Sequence, residues 1–327
     1  MAAAQLSDNL CFEETGRFQL QQHSIFYRVW RPQNHKDIQL VIHINHGMAE
    51  HSGRYQGFAQ ACVRRNIAVI AQDHPGYGES SSSHDDLGHI ANIHSFTVLL
   101  KATAATQTLC SQLFPNIPVV LFGHSMGSFI TLGYLEDEQK KTNSPKLQAV
   151  VLSGSTQNPW YLDKSLKIVA RLERLRQGKK GKSSLINLLT FGQFNRQFKP
   201  SRTTADWLSR DPRAVDIYLS DPLCGELSSN QTWFDFAQGL LDIFRRFNLK
   251  KLPNQVPFLV ISGDQDPLSD RGGLHRLEQS LIAAGVSVQV TTFPHGRHEL
   301  LNELNHHEVE SYVFDWIELI ATPGTPS

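Results

Sequence analysis

The chain has 327 residues, 40% of them hydrophobic and 19% charged, a composition typical of a soluble globular protein. Lysine plus arginine and aspartate plus glutamate both total 31, so no net positive field favours nucleic acid as a partner. The four cysteines form no C-x-x-C pair, which predicts free thiols. No apolar run approaches ~18 residues, which predicts no membrane span. The start lacks a secretory signal, so we expect a cytoplasmic location.

Strand and helix patterns alternate along most of the chain. In order, they predict a hairpin at 17–21 and 25–31, strand 38–44, helix 55–65, strand 67–71, a long helix at 96–113 and strand 119–122. A helix after residue 125, strand 149–153, strand 258–261, helix 273–284, strand 286–292 and a last helix around 307–321 follow. Alternating β and α units predict a mostly parallel sheet with helices on both faces, hence an α/β fold.

This alternation stops between residues 156 and 252, where helical patches occur without a good strand. Such a stretch is too long for a loop within a compact sheet. We therefore expect a core of residues 1–155 and 253–327, with residues 156–252 inserted as a mainly helical cap over the strand ends.

One part of the predicted cap, residues 164–182, is strongly basic. It holds eight Lys or Arg residues against Glu173 alone, and Leu166, Val169, Leu172 and Leu175 give it an apolar stripe. We interpret it as a solvated outer helix of the cap. Peripheral membrane contact is the alternative, because a basic amphipathic helix can lie on an anionic membrane surface.

The pentapeptide Gly123-His124-Ser125-Met126-Gly127 lies between an apolar strand and a helix. A sharp strand-to-helix turn lifts a serine Oγ clear of the sheet edge and requires a strained, positive-φ backbone at the serine. Its neighbours two positions away press against the strand and the helix, so both are glycine. This context predicts a nucleophile elbow at Ser125.

A serine nucleophile needs a histidine base, and the base needs an acid that orients it. On this fold the acid and then the histidine follow the serine, on loops after later strands. The loop after strand 258–261 offers Asp264 and Asp266, and the loop after strand 286–292 offers His295 and His298. We choose Asp266, which is deeper in its loop, and His298, which begins the segment leading to the last helix.

Two backbone N–H groups should complete an oxyanion hole. One follows the nucleophile, at Met126, and the other lies in the loop after the first parallel strand, at Met48. In that loop Glu50, His51 and Arg54 are expected to brace the backbone rather than react. No cofactor is needed for this chemistry.

Histidines near the predicted site could alternatively bind a metal. His295 and His298 have His306 and His307 close by in the sequence. No carboxylate-backed H-E-x-x-H pattern accompanies them, so we predict no metal here.

Several motifs resemble one known group of enzymes. They are HGMAEHSGRY at 46–55, DHPGYGES at 73–80, the Ser125 pentapeptide, and the loops of Asp266 and His298. They are similar to the monoacylglycerol lipase and lysophospholipase group of α/β-hydrolases, within the wider serine aminopeptidase-like family. The resemblance covers about residues 20–320 and implies an α/β-hydrolase fold with Asp266 as the acid. It departs at Pro75 and Tyr77, where the group usually has Arg and His, which affects substrate fit rather than catalysis.

The sequence therefore predicts a serine ester hydrolase that cleaves monoacyl lipids, monoacylglycerol or lysophospholipid, through an acyl-enzyme. The alternatives are a serine aminopeptidase-like peptidase and a catalytically inactive binding protein on the same fold. A lipid ester is the expected partner, with no protein partner evident. Nine aromatic residues of the cap could enclose an apolar acyl tunnel above Ser125: Trp160, Tyr161, Phe191, Phe194, Phe198, Trp207, Trp233, Phe234 and Phe236.

Overall fold

The sheet is the centre of the molecule, and a computed structural model describes it within residues 11–138, 145–269 and 272–321. Its strands are β1 (Cys11–Leu20), β2 (His23–Pro32), β3 (Leu40–Asn45), β4 (Ile67–Gln72), β5 (Val119–His124), β6 (Leu147–Ser153), β7 (Phe258–Gly263) and β8 (Val288–Phe293). They lie in the order β1-β2-β4-β3-β5-β6-β7-β8. The β1–β2 and β2–β4 pairs are antiparallel and the other neighbours are parallel. The predicted mostly parallel sheet with an edge hairpin is confirmed.

Helices cover both faces of the sheet, as predicted. Those that cover the sheet are α1 (Gln56–Val63), α2 (Ser95–Leu113), α3 (Met126–Glu138), α10 (Gly273–Ala283) and α11 (His306–Ala321). The other helices are α4 (Trp160–Gln177), α5 (Ser184–Leu189), α6 (Phe191–Phe194), α7 (Pro212–Ser220), α8 (Asn230–Ile243) and α9 (Arg246–Leu249). No helix within the described ranges is both long and apolar enough to cross a membrane. All four cysteines are free, as the sequence predicts.

The sequences of the central strands β3, β4, β5 and β7 are mostly apolar because both faces of these strands are buried. Successive side chains point to opposite faces, so neighbouring residues of β5 enter different cores. Leu121 packs into the apolar cluster of α2, α3 and α10, whereas Phe122 packs into that of α1 and α11. The Phe122 ring lies 5.6 Å from that of Phe58, which stacks on Phe314 at 5.7 Å. Because β3, β5, β6, β7 and β8 pair in parallel, the carboxyl ends of β3, β5, β7 and β8 lie at one edge of the sheet.

The cap segment, residues 156–252, runs between β6 and β7. All of its residues are described; they contain α4 to α9, and none of them belongs to a strand. α8 packs against α2 and α3, and its residues Trp233 and Phe236 join the apolar cluster of those helices. A smaller cluster around Trp207 and Tyr218 lies within the segment. The cap segment therefore packs on α2 and α3 through α8 and has a minor core of its own.

The apolar stripe predicted for α4 is not the inward face of this helix. Leu172 and Leu175, two members of the stripe, are 58% and 80% exposed. The buried side chains are instead Asp163, Ala170 and Glu173, which lie on one helical face. Asn158 donates to Asp163 and Gln177 donates to Glu173, which offsets part of the cost of burying these carboxylates. Burial still raises the pKa of Asp163 to about 6. Ile168, Leu172 and Leu175 are left at the surface, whereas Leu166 and Val169 pack partly against the core.

Candidate active site

Ser125 occupies the turn between β5 and α3. Its φ is +51°, and its backbone N–H donates to the Ser153 carbonyl at 2.9 Å. A Cβ at Gly127 would lie 1.9 Å from the Asn45 carbonyl oxygen, and one at Gly123 would lie 2.6 Å from the Gly127 carbonyl oxygen. Neither position has room for a side chain, as the pentapeptide implies. Ser125 itself stays partly exposed, which leaves its hydroxyl accessible to a substrate.

Asp266 and His298 are brought together by the loops that follow β7 and β8. Asp266 Oδ2 lies 2.9 Å from His298 Nδ1, and both residues are 2% exposed. The second carboxylate oxygen, Oδ1, accepts the Leu268 N–H at 2.9 Å, which fixes the orientation of the carboxylate. Asp264 and His295 are exposed at the surface of the same loops. Because the carboxylate binds Nδ1, the imidazole keeps Nε2 as its free basic nitrogen.

The electrostatics of His298 favour protonation. Burial acts to lower its pKa, but the charge and hydrogen bond of Asp266 outweigh burial, and the pKa lies above its usual value. The ring of His124 is 4.8 Å away, centroid to centroid. Burial, together with the neighbouring His298, lowers the pKa of His124 to about 4. His124 is therefore neutral at neutral pH, and His298 is the titrating base of the pair.

The loop after β3 passes beside Ser125. A Cβ placed on Gly47 would lie 3.4 Å from Cβ of Ser125. The N–H of Met48, the next residue, has no acceptor among the described residues. Met126 is the first residue of α3, so its N–H has no partner within the helix. Both N–H groups are therefore available to an oxyanion formed at Ser125.

A buried ion-pair network braces this loop. Glu50 accepts the Gly47 N–H at 2.6 Å and the Tyr55 hydroxyl at 2.9 Å, and Arg54 donates to it at 2.8 Å. Arg54 also donates to both carboxylate oxygens of Glu299, at 2.6 Å for Nη2 to Oε2. Burial alone would raise the pKa of Glu50, but Arg54 lowers it to about 2. The network therefore links the loop after β3 to Glu299, the residue that follows His298.

Glu299 and Trp207 are site residues that sequence reasoning missed in these roles. The Trp207 ring lies 4.9 Å from the His298 ring at an interplanar angle of 33°, and it stacks on Phe191 at 5.7 Å. A buried partner for Arg54 could have been anticipated from the charge of Arg54 alone. Nothing in the spacing of Trp207 places it over a histidine 91 positions later.

Tyr77, where the sequence departs from the family pattern, lies in the loop after β4. Its hydroxyl is 2.8 Å from the Ser228 hydroxyl of the cap segment, and its ring meets the edge of His46 at 6.1 Å. Tyr77 is fully buried. It therefore joins the core to the cap segment beside the oxyanion loop.

The nine cap aromatics do not form one wall. Trp160 and Tyr161 are 66% and 54% exposed, so the expectation that they face an enclosed tunnel is wrong. They begin α4, whose inward face is taken by other residues. Trp233 and Phe236 pack into the core, whereas Phe234 lies beneath the Arg174 guanidinium at 4.3 Å. The remaining four form an aromatic cluster that reaches His298 through Trp207: Phe191, Phe194, Phe198 and Trp207.

Two groups of described residues have metal-ligand atoms within 4.8 Å of one another: His51, Asp221 and Cys224; and His306, His307 and Glu310. In the first group both ring nitrogens of His51 are occupied, by the Gly53 N–H and by Asp221. Burial also raises the pKa of the Cys224 thiol, which disfavours the thiolate that metals bind. Neither His295 nor His298 belongs to either group.

The strand order, the parallel crossovers and the strand–turn–helix at Ser125 define an α/β-hydrolase. Residues 36–305 match the sequence pattern of the family described as serine aminopeptidase, S33, and the chain belongs to this family. It is 27% identical over 297 residues to a monoacylglycerol lipase of Mycolicibacterium smegmatis, covering 90% of this chain and 92% of the relative. It is 28% identical over 310 residues to the human monoglyceride lipase, covering 93% and 90%.

Solved structures agree on the fold. A thermostable carboxyl esterase from Bacillus coagulans, in complex with glycerol, superposes with a TM-score of 0.83 at 24% identity, covering 95% of this chain and 99% of that one. A soluble variant of the Saccharomyces cerevisiae monoglyceride lipase gives 0.69 at 17% identity, covering 94% and 97%. The resemblance predicted from the motifs is confirmed.

Proposed function

We propose that this protein is a serine ester hydrolase that cleaves monoacyl lipids through an acyl-enzyme on Ser125. The observation that carries the proposal is the buried Asp266–His298 pair, 2.9 Å apart, on the loops beside the strained Ser125 turn. Similarity to monoglyceride lipases over nine-tenths of the chain supports the substrate class. In this proposal the core, 1–155 and 253–327, carries the chemistry and the cap segment contacts the acyl chain.

The reaction uses His298 as base and then as acid. Nε2 of His298 accepts the Ser125 proton as Oγ attacks the ester carbonyl carbon, and the N–H groups of Met48 and Met126 hold the oxyanion. Collapse breaks the ester C–O bond, and His298 returns the proton to the departing alcohol. Water then gives a proton to His298 and attacks the acyl-enzyme carbonyl carbon. Collapse breaks the bond to Ser125 Oγ, His298 returns the proton to Oγ, and the fatty acid leaves.

Covalent labelling tests the nucleophile. A fluorophosphonate should label the protein, and Ser125→Ala should abolish both labelling and ester turnover because only the nucleophile is lost. Ser81→Ala, in the loop after β4, is the matched control and should leave both unchanged. Labelling that survives in Ser125→Ala would place the nucleophile elsewhere. Labelling without turnover on any ester would favour an inactive binding protein.

A substrate panel tests the lipid class. We expect kcat/KM for p-nitrophenyl esters to rise from acetyl towards long acyl chains, because each buried CH₂ contributes about 0.8 kcal/mol. Monoacylglycerol and lysophosphatidylcholine should be better substrates than triacylglycerol, and their ratio measures head-group preference. A preference for acetyl esters would contradict the acyl pocket. A preference for an aminoacyl amide would favour the peptidase.

The outer surface of the cap segment supports peripheral membrane contact. Five cations near α4 form no ion pair with a described residue: Lys164, Lys167, Arg171, Arg174 and Lys179. They line a groove of about 570 Å³ whose other walls include Ile168, Leu175 and Phe234. Exposed apolar side chains flanked by cations that form no ion pair match an anionic lipid surface.

Charge variants test this contact. The triple variant Lys164→Gln, Arg171→Gln and Lys179→Gln should bind anionic vesicles more weakly than the parent protein. Its binding should also depend less on salt, because salt screens exposed charges over about 8–10 Å and fewer such charges remain. The control Arg176→Gln, Lys180→Gln and Lys182→Gln removes the same formal charge from residues paired with Glu173, Asp86 and Glu226. Hydrolysis of a soluble short ester should be unchanged in both. Equal losses in the two variants would contradict a specific surface.

A further inference from the structure

The first two turns of α11 carry a cluster of ligand atoms outside the proposed catalytic machinery. Ligand atoms of His306, His307 and Glu310 all lie within 4.8 Å of one another. The two imidazole rings are 3.9 Å apart, centroid to centroid, and His307 Nδ1 is 3.2 Å from Glu310 Oε2. His307 is exposed, whereas Glu310 is buried. The cluster therefore faces solvent on one side and is anchored in the fold on the other.

A backbone contact fixes the protonation form of His306. Its Nδ1 lies 2.9 Å from the Glu303 carbonyl oxygen, which can only accept, so Nδ1 carries the proton. Nε2 then has the free lone pair that a metal requires. Metal-binding histidines characteristically donate their other ring N–H to such a partner, which orients the ring and increases its basicity. His306 is thus already held in the form that binds metal.

We propose that His306, His307 and Glu310 bind a divalent transition metal, with Zn²⁺ as the best match. Two imidazoles and one carboxylate suit Zn²⁺, whereas Mg²⁺ and Ca²⁺ prefer oxygen ligands throughout. Tetrahedral bonds of about 2.0–2.2 Å place ligand atoms roughly 3.3–3.6 Å apart, a spacing that fits within the observed 4.8 Å limit. Water would fill the fourth position on the exposed side.

Metal binding would reinforce the segment between His298 and α11. The backbone carbonyl of Glu303 accepts from His306 Nδ1. Its carboxylate accepts from the Arg297 N–H and from Arg210 Nε, each at 2.9 Å. A ligand that binds only the folded protein stabilises it by mass action. We therefore expect Zn²⁺ to raise the unfolding temperature without being required for hydrolysis.

Titration of the full chain without a histidine tag tests the site. Zn²⁺ should bind with one-to-one stoichiometry by calorimetry and raise Tm. His306→Ala and His307→Ala should each weaken Zn²⁺ binding at least about tenfold, because even the loss of a residue that only supports a metal ligand costs about that much affinity. Glu310→Gln should also weaken Zn²⁺ binding. Because Glu310 is buried, its variant could be unstable; His307 is exposed, so His307→Ala then still tests the site. Binding should decline in acid, because the imidazoles must be neutral.

The control is His275→Ala on α10, where one exposed histidine lies 3.6 Å from Glu278 without a second histidine. It should leave Zn²⁺ affinity unchanged. Co²⁺ reports the ligands directly, and its absorption should lack a thiolate charge-transfer band. A thiolate band would place the metal at a cysteine such as Cys224, and an affinity unchanged in His306→Ala and His307→Ala would overturn the proposal.

Discussion

At the scale of single residues, Asp266 and Asp264 have unlike surroundings although they are two positions apart. Asp266 is buried against His298, whereas Asp264 is exposed. We expect Asp266→Asn to lower kcat by about 10⁴-fold, because the amide orients the imidazole in the wrong tautomer. Asp264→Asn should change kcat little. Steady-state kinetics on one soluble ester compares the two, and a larger loss in Asp264→Asn would show that the acid has been assigned wrongly.

The protonation of His298 predicts the pH dependence of activity. The proposed mechanism needs neutral His298, and Asp266 raises the pKa of this residue above its ordinary value of 6.5 despite burial. kcat/KM should therefore increase with pH through an apparent pKa above 6.5 and level off beyond it. Replacing Asp266 by Asn should move that apparent pKa downwards, since the raising charge is gone. An unchanged profile in Asp266→Asn would mean that another group controls it.

At the scale of elements, Arg54 joins the loop after β3 to the loop after β8. Its guanidinium is buried between Glu50 and Glu299, so Arg54→Ala leaves two buried carboxylates without their cation. Breaking such a pair costs about 3–5 kcal/mol of stability. Arg54→Lys should recover part of this loss but not the two-point contact with Glu299. Urea unfolding measures the stability, and kcat/KM should fall in Arg54→Lys because the oxyanion loop loosens.

An exposed ion pair provides the control for Arg54. Arg17 and Glu79 are 3.4 Å apart and nearly half exposed. Exposed pairs contribute about 0–1 kcal/mol. Arg17→Ala should therefore change the free energy of unfolding by no more than that and leave kcat/KM unchanged. Equal effects of Arg17→Ala and Arg54→Ala would contradict the bracing role of Arg54.

Elements differ in how far the sequence determines them. β3, β4, β5 and β7 were predictable because strands buried on both faces must be continuous apolar runs. The Ser125 turn was predictable because its backbone path excludes side chains at two neighbouring positions. The orientation of α4 was not, since Asp163 and Glu173 face inwards only because specific donors meet them there. The position of Trp207 over His298 was equally hidden, because it depends on how the cap segment folds back.

At the scale of the whole molecule, buried neutral histidines limit stability in acid. Burial lowers the pKa of both His43 and His124 to about 4. His43 Nε2 bonds to Gln72 and Nδ1 to Gln107, so its ring has no place for a second proton. A histidine whose pKa is lower in the folded than in the unfolded protein stabilises the fold at pH values above its unfolded pKa. This stabilisation is lost as pH falls towards the folded pKa. The free energy of unfolding should therefore decrease between about pH 6.5 and 4, and a flat profile by urea unfolding would contradict this.

Glu136 limits stability in the opposite direction. It is 8% exposed, its Oε1 has no hydrogen-bond partner, and burial raises its pKa from 4.5 to about 8. The folded protein keeps this proton over a range where the unfolded chain has lost it, so the contribution of Glu136 to stability falls as pH rises from about 4.5 to 8 and opposes that of the two histidines below about pH 6.5. The full effect is about 3–5 kcal/mol, at about 1.4 kcal/mol for each unit of pKa. Glu136→Gln mimics the protonated form and should be more stable than the parent protein above about pH 8, yet similar to it near pH 5. The exposed neighbour Asp137 provides the control, and Asp137→Asn should follow the parent at both pH values in urea unfolding. A Glu136→Gln protein that gains no stability in alkali would show that the carboxylate is solvated or paired in the folded state.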